Sequence, residues 1–275
     1  AAGSLTMREG QLGRMMLHGV AAMGMIYILL PLGFVIWLSV FAQEIPSFPP
    51  QGYSLRWFFA LTDYREFASG FRLSLEVGIL ATVFGLVLGV PAALVLVRTP
   101  FAGRAWINGL LLAPMMVPGV VLGTALYVFQ IEGEIATGLP IMGSFSGLVI
   151  AHVLLVVPWT VRLISASLTG FDRTIEEAAY NLGAGPVTTF FRITLPMIRP
   201  GLVAATLFGF VASFGNLEMS LFLVGPGRTT LPIAILQYLE WKIDPTVAAA
   251  SVLQIALIAV ALLITDHYVK LSRVV

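Results

Sequence analysis

Six stretches of this chain are each long and apolar enough to cross a lipid bilayer, and nothing else in the sequence constrains the fold as strongly. A spanning helix needs roughly 20 largely apolar residues, because the hydrocarbon layer is about 30 Å thick and each helical residue rises about 1.5 Å. The stretches cover 18–41, 73–97, 106–129, 145–167, 201–224 and 247–268. Only 11% of the residues are charged while 58% are hydrophobic, against about 25% charged in an ordinary soluble domain. That leaves too little polar surface to cover a globule in water, so lipid has to solvate much of it. The expected fold is an all-α integral membrane protein with six transmembrane helices. The longest connections, 42–72, 168–200 and 225–246, leave no room for a soluble domain. A single transmembrane domain over 18–275 is expected to follow a cytoplasmic N-terminal segment, 1–17.

Charge sets the orientation. Cytoplasmic flanks retain Lys and Arg. With the N-terminus inside, the inner flanks hold Arg8, Arg14, Arg98, Arg104, Arg162, Arg173, Arg192, Arg199, Lys270 and Arg273. The outer flanks hold only Arg56, Arg65, Arg72, Arg228 and Lys242. Both termini are therefore expected in the cytoplasm, and the N-terminus does not read as a cleavable signal peptide. A net charge of +1 gives no reason to expect a nucleic-acid partner. The chain has no cysteine, and His18, His152 and His267 lie far apart. No metal site, cofactor or catalytic constellation is expected, which argues against a membrane-embedded enzyme.

Inside the apolar stretches, Gly85 with Gly89 and Gly119 with Gly123 are four residues apart, a spacing that lets helices approach closely. Pro91, Pro114, Pro118 and Pro158 are expected to kink or locally break their helices. Glu76 follows Arg72 by four residues and reads as a local helix pair. His152 reads as an interhelical hydrogen-bond donor. Glu132, Glu134, Glu240 and Asp244 give the outer surface an acidic tint, with Tyr238 and Trp241 as interfacial aromatics.

The connection 168–200 has the marks of folded structure outside the bilayer. Thr174 followed by Glu177 has the spacing of a capping box. Ile175, Ala178, Ala179 and Leu182 then form one apolar stripe at helical period. Gly183 can take positive φ and end the helix, and Pro186 suits the first turn of a second one. Such a helix could rest on the membrane interface, rest on its own bundle, or dock another protein.

Spacing in this loop carries a resemblance. Glu177-Ala178-Ala179, three residues, Gly183, nine residues, Ile193, one residue and Leu195-Pro196 reproduce the EAA signature of ABC importer permeases at every fixed position. The runs Val97–Arg104 and Leu111–Gly119 look like the cytoplasmic hairpin and third helix of this family, and Phe214–Ser220, Gly225–Gly227 and Leu231–Ile233 are similar to its polyamine-type branch, which includes relatives for ferric iron, opines and aminoalkylphosphonates. The resemblance implies the type I importer permease fold in a bacterial inner membrane. It implies that Glu177, Ala178 and Ala179 form a coupling helix for an ATPase, with Gly183 as its turn. Ile193, Leu195 and Pro196 would seat the second helix against the fifth span. The implied partners are two ATP-binding cassette subunits, a second permease and a substrate-binding protein outside. ATP hydrolysis falls to the ATPase chains, because the phosphate-cradling pattern Gly-x-x-x-x-Gly-Lys-Ser/Thr does not occur here.

Glu218 is the ionisable residue of greatest interest. On a continuous fifth helix it would lie roughly 27 Å from Pro200, in the outer part of the bilayer. With Asn216 and Ser220 it is a candidate lining for a cation's path, Gly215 loosening the helix; a pairing with Arg228 or a place at the outer headgroups would also account for it. The implied cargo is a polyamine or similar small cationic or zwitterionic solute. The alternative function is a secondary transporter or channel driven by an ion gradient. That reading calls for charge clusters at mid-membrane, and the helix middles contain almost none.

Overall fold

The computed structural model describes residues 2–269, and side chains over 14–265. Lys270 and Arg273, counted above as inner flank, lie outside the described residues, as do the side chains of Arg8 and His267. Among the described residues every regular element is helical: α1 Ala2–Leu38, α2 Arg56–Asp63, α3 Arg65–Arg98, α4 Arg104–Leu112, α5 Gly119–Thr137 and α6 Phe145–Thr169. Then come α7 Thr174–Asn181, α8 Pro186–Met197, α9 Arg199–Phe214, α10 Ser220–Leu223, α11 Leu231–Trp241 and α12 Thr246–Val269. Residues 14–38, α3, α5, α6 and α12 are each long and apolar enough to span; α8 and α9, bent by 70°, pass the same test together and bring the number to six if the pair is one span.

The chain divides into two compact units. The first holds 1–63 and 239–255. In it, residues 14–34 of α1 are exposed, because an apolar face in lipid needs no cover from its own chain. An aromatic knot follows. Trp37 meets Phe41 edge to face at 5.0 Å, and the Trp57 Nε1–H donates to the Phe41 carbonyl at 2.6 Å.

The second unit, 64–238 and 256–275, is built on α3, α6 and α9. The expected small-residue contacts form here. Val156 of α6 packs against both Gly85 of α3 and Gly209 of α9, and Thr160 packs against Gly89. A methyl group at Gly85 would stand 2.5 Å from Val156 Cγ1. Val90, Ala93, Ile164, Leu168, Ile198 and Ala205 form a buried cluster below, and Val77, Leu148, Ala151, Met219 and Leu223 another.

Two expected helices are broken. The stretch 106–129 is not one span: α4 ends at Leu112, a 3₁₀ turn covers Ala113–Met115, and α5 starts only at Gly119 and runs on to Thr137. Pro114 and Pro118 each lack the N–H that a continuous ladder needs, and they fall four residues apart. Pro91 and Pro158 stay inside unbroken helices. The stretch 201–224 also stops short, because α9 ends at Phe214 and the chain turns through 215–219 into α10. Two further helices, α2 and α11, lie in connections whose apolar content is too short to span.

Candidate functional site

Two places hold the residues singled out by sequence, and both lie in the second unit. The first is the loop between α6 and α9. Helix α7 occupies 174–181 as the pattern implies, but its cap differs from the expected one. Thr174 is already helical, and its N–H donates to Asp172 Oδ1 at 3.0 Å. Asp172 therefore caps the helix, and this hydrogen bond holds its carboxyl below the ordinary carboxylate range. Glu177, expected to close a capping box, instead points into solvent with Arg173 Nε 3.9 Å away.

At the other end Gly183 has φ +86°, with its N–H on the Tyr180 carbonyl and the Ala184 N–H on that of Ala179. That is the expected C-terminal turn, and a residue with a Cβ is strained at this φ. The space in front of Gly183 is open. Pro186 starts α8 as expected, and the helix widens into a π turn over Phe190–Thr194.

Burial in the loop reverses the simple expectation for an amphipathic helix. The stripe does not rest on its own bundle: Ile175 and Ala178 are exposed, Ala179 is half-buried, and Leu182 is 89% exposed. The buried member of α7 is Glu176, at 3% exposure. Its carboxylate accepts from Arg98 Nη2 at 2.7 Å and from the Thr194 hydroxyl. Removing one partner from such a buried pair costs about 3–5 kcal/mol, because the other charge stays desolvated. Of the second cluster of motif residues, Leu195 packs on the Ile164–Ile198 core, Ile193 is half-buried and Pro196 is exposed.

The second place is the break after α9. Asn216 Oδ1 accepts from the Met219 and Ser220 N–H groups at 3.2 and 3.3 Å, capping α10. Ser220 is fully buried; its hydroxyl donates to the Asn216 carbonyl at 2.8 Å and lies 3.2 Å from His152 Nε2. His152 Nδ1 lies 2.7 Å from Ser213 Oγ, so the histidine makes the interhelical hydrogen bonds expected of it and also bridges the two sides of the break.

Glu218 is exposed on this chain and its side chain lies over Gly119, the first residue of α5. It is not on a continuous fifth helix, and its expected depth, counted along one, does not hold. Nor does it pair with Arg228, whose Nη1 donates to the Gly143 carbonyl at 2.9 Å. A carboxylate beside the start of a helix sits where unpaired backbone N–H groups favour negative charge. Glu218 thus stands where the breaks of two apolar stretches meet.

Other readings resolve simply. Arg72 and Glu76 form the expected local pair at 2.7 Å. Glu134 accepts from the Ile141 and Met142 N–H groups, which gives it a turn-holding role. Tyr238 packs on Tyr64 and Phe67, while Trp241 is 86% exposed. The segment 225–231 anchors to α3 through the Leu231 N–H, which donates to Ser74 Oγ at 2.9 Å.

Comparison with known proteins identifies this arrangement. The profile of the binding-protein-dependent transport system inner membrane component matches residues 85–274. The putrescine transport system permease protein PotI of Escherichia coli (strain K12) is 34% identical over 203 residues, covering 74% of this chain and 72% of PotI. The molybdenum transport system permease protein ModB of the same strain is 35% identical over 212 residues, covering 73% of this chain and 93% of ModB. The spermidine/putrescine permease PotC, also of that strain, is 26% identical over 247 residues and 90% of both chains. Among solved structures, a bacterial alginate ABC transporter bound to its pentasaccharide-loaded periplasmic protein matches with a TM-score of 0.70 at 17% identity, covering 94% of both chains. The inward-facing methionine transporter MetNI matches at 0.61 and 19% identity, over 74% of this chain and 95% of that one. Proteins of this kind work with an ATPase and a substrate-binding protein. The chain belongs to the family of binding-protein-dependent transport system inner membrane components: it is a multi-pass permease subunit of an ABC importer.

Proposed function

We propose that the loop 168–200 is the coupling element of this permease, and that the chain forms half of a pathway for a polyamine or similar small cationic or zwitterionic solute. One observation carries the first part. Helix α7 turns its carboxylate Glu176 inward and leaves Ile175, Ala178, Tyr180 and Leu182 exposed. An apolar face outside the bilayer is costly in water, and a protein partner relieves that cost. Glu177, Ala178 and Ala179 meet the cleft of an ATPase, Gly183 ends the contact, and Leu195 holds α8 to the bundle.

ATP hydrolysis takes place on that partner. The complete assembly has two ATPase chains, this permease, a paralogous second permease and an external binding protein. Residues 18–275 form one permease domain after a cytoplasmic segment, 1–17, with both termini inside. Loaded binding protein docks outside, ATP closes the ATPase pair, and the two coupling loops move the permeases together.

Cargo class is supported by two things. PotI and PotC are named for putrescine and spermidine/putrescine, and Glu218 offers a carboxylate at the meeting of two helix breaks. Asn216 caps the turn that holds Glu218, while Ser220 is fully buried and fixes that turn rather than facing a solute. ModB, named for molybdenum, is as similar as PotI, but a carboxylate on the path favours a cationic group on the cargo.

The test uses the reconstituted transporter. Leu182→Cys should crosslink to the ATPase, and Gly183→Trp should keep the bundle folded while ATP hydrolysis no longer drives uptake. Normal transport by Gly183→Trp with its ATPase bound would remove the coupling role from this loop.

A further inference from the structure

We infer that Arg98, Glu176 and Thr194 form a strut that transmits movement of the docking helix to the membrane bundle, Glu176 being a positioning residue for coupling. This deepens the coupling reading above and rests on it. The strut is built from three separate elements. Arg98 is the last residue of α3, Glu176 lies in α7, and Thr194 ends the π turn of α8. All three meet at a single atom, Glu176 Oε1, which accepts from Arg98 Nη2 at 2.7 Å and from the Thr194 hydroxyl.

Burial makes the joint stiff. Glu176 and Thr194 are 3% and 1% exposed, and 23% of the Arg98 side chain is exposed. Water competes weakly for the carboxylate, so the charge-assisted bonds keep their strength. Arg98 is further held beside the Phe171 ring, 5.9 Å from its centroid. It also sits at the carbonyl end of α3, where a cation is favoured.

The rest of α7 is poorly tied to the bundle. Its apolar stripe is open, and Glu177 reaches only Arg173 of the same loop. A force applied to the exposed face therefore reaches α3 through Glu176. Because α3 packs along α6 and α9, a shift at Arg98 reaches all three. The wide turn of α8 belongs to the same device because it presents the Thr194 hydroxyl to Glu176, and turns of this kind are frequent at functional sites. The glutamate of the EAA signature and the one before it thus divide the work: Glu177 faces outward and Glu176 holds.

The experiment is run on the whole reconstituted transporter, measuring ATP hydrolysed and solute taken up together, with radiolabelled putrescine as the probe. Glu176→Gln keeps the shape and removes the charge; Thr194→Val removes only the hydroxyl donor and guards against a Glu176→Gln variant that fails to fold. Both carry Leu182→Cys, so that docking is read by crosslinking to the ATPase. Intact crosslinking, hydrolysis within about twofold and uptake down about tenfold would support the strut, a loss inside the usual range for coupling between sites. A role in folding alone would lower uptake and hydrolysis in proportion and leave their ratio unchanged, which overturns the proposal. An unchanged ratio with crosslinking intact removes the strut and leaves the docking loop standing. Loss of crosslinking in the otherwise unsubstituted chain removes the docking loop itself, and the strut with it.

Discussion

Two adjacent glutamates show how much a single helical residue's phase decides. Glu176 and Glu177 are chemically identical and differ by about 100° around α7, yet one is buried against Arg98 and the other faces solvent. Sequence periodicity picked out the apolar stripe but left open what it rests on, and gave no sign that Glu176 is the buried member of α7. A stripe reserved for another protein has the same spacing as one reserved for the chain's own core. Arg98 could be read only as an inner-flank cation, because nothing local links it to a residue 78 positions away. Glu218 gives the residue-scale prediction. Glu218→Gln should lower putrescine uptake about tenfold, equivalent to about 1.4 kcal/mol, if a cation passes the carboxylate. Initial-rate uptake over a range of putrescine concentrations checks it. Unchanged kinetics would take Glu218 out of a cation's path.

Among the elements, α3, α6 and α12 were legible because unbroken helices show directly as hydropathy. The third and fifth spans were not, for a definite reason. Hydropathy does not register a missing N–H at Pro114 or Pro118, nor the turn at Gly215, so an interrupted stretch looks the same as a continuous one. Helix α7 was legible at its C-terminal end, where Gly183 has few structural alternatives, and misread at its start, where Asp172 rather than Thr174 supplies the cap. In α10 the corresponding cap is Asn216. Asn216→Ala should destabilise this short helix by about 1 kcal/mol and loosen the turn that holds Glu218. Faster amide exchange at Met219 and Ser220, with the α3–α6–α9 core unaffected, is the expected result. Equal exchange rates would show that the turn holds without its side-chain acceptor.

For the molecule as a whole, the cysteine-free sequence makes topology directly testable. Single substitutions Leu182→Cys and Trp241→Cys fall at residues 89% and 86% exposed. In sealed, right-side-out membrane vesicles an impermeant maleimide should label position 241 from outside and reach position 182 only after lysis. The reverse pattern would invert the orientation drawn from Lys and Arg. A mechanical consequence lies in Val156, lodged between Gly85 and Gly209. A tooth seated in two notches resists sliding, since to slip one turn along it would have to climb past a neighbouring ridge of larger side chains. Transport strokes that leave this mesh engaged must swing α3, α6 and α9 as one beam. The bending then falls at the places where the ladder of backbone bonds is already cut, ahead of Gly119 and after Phe214.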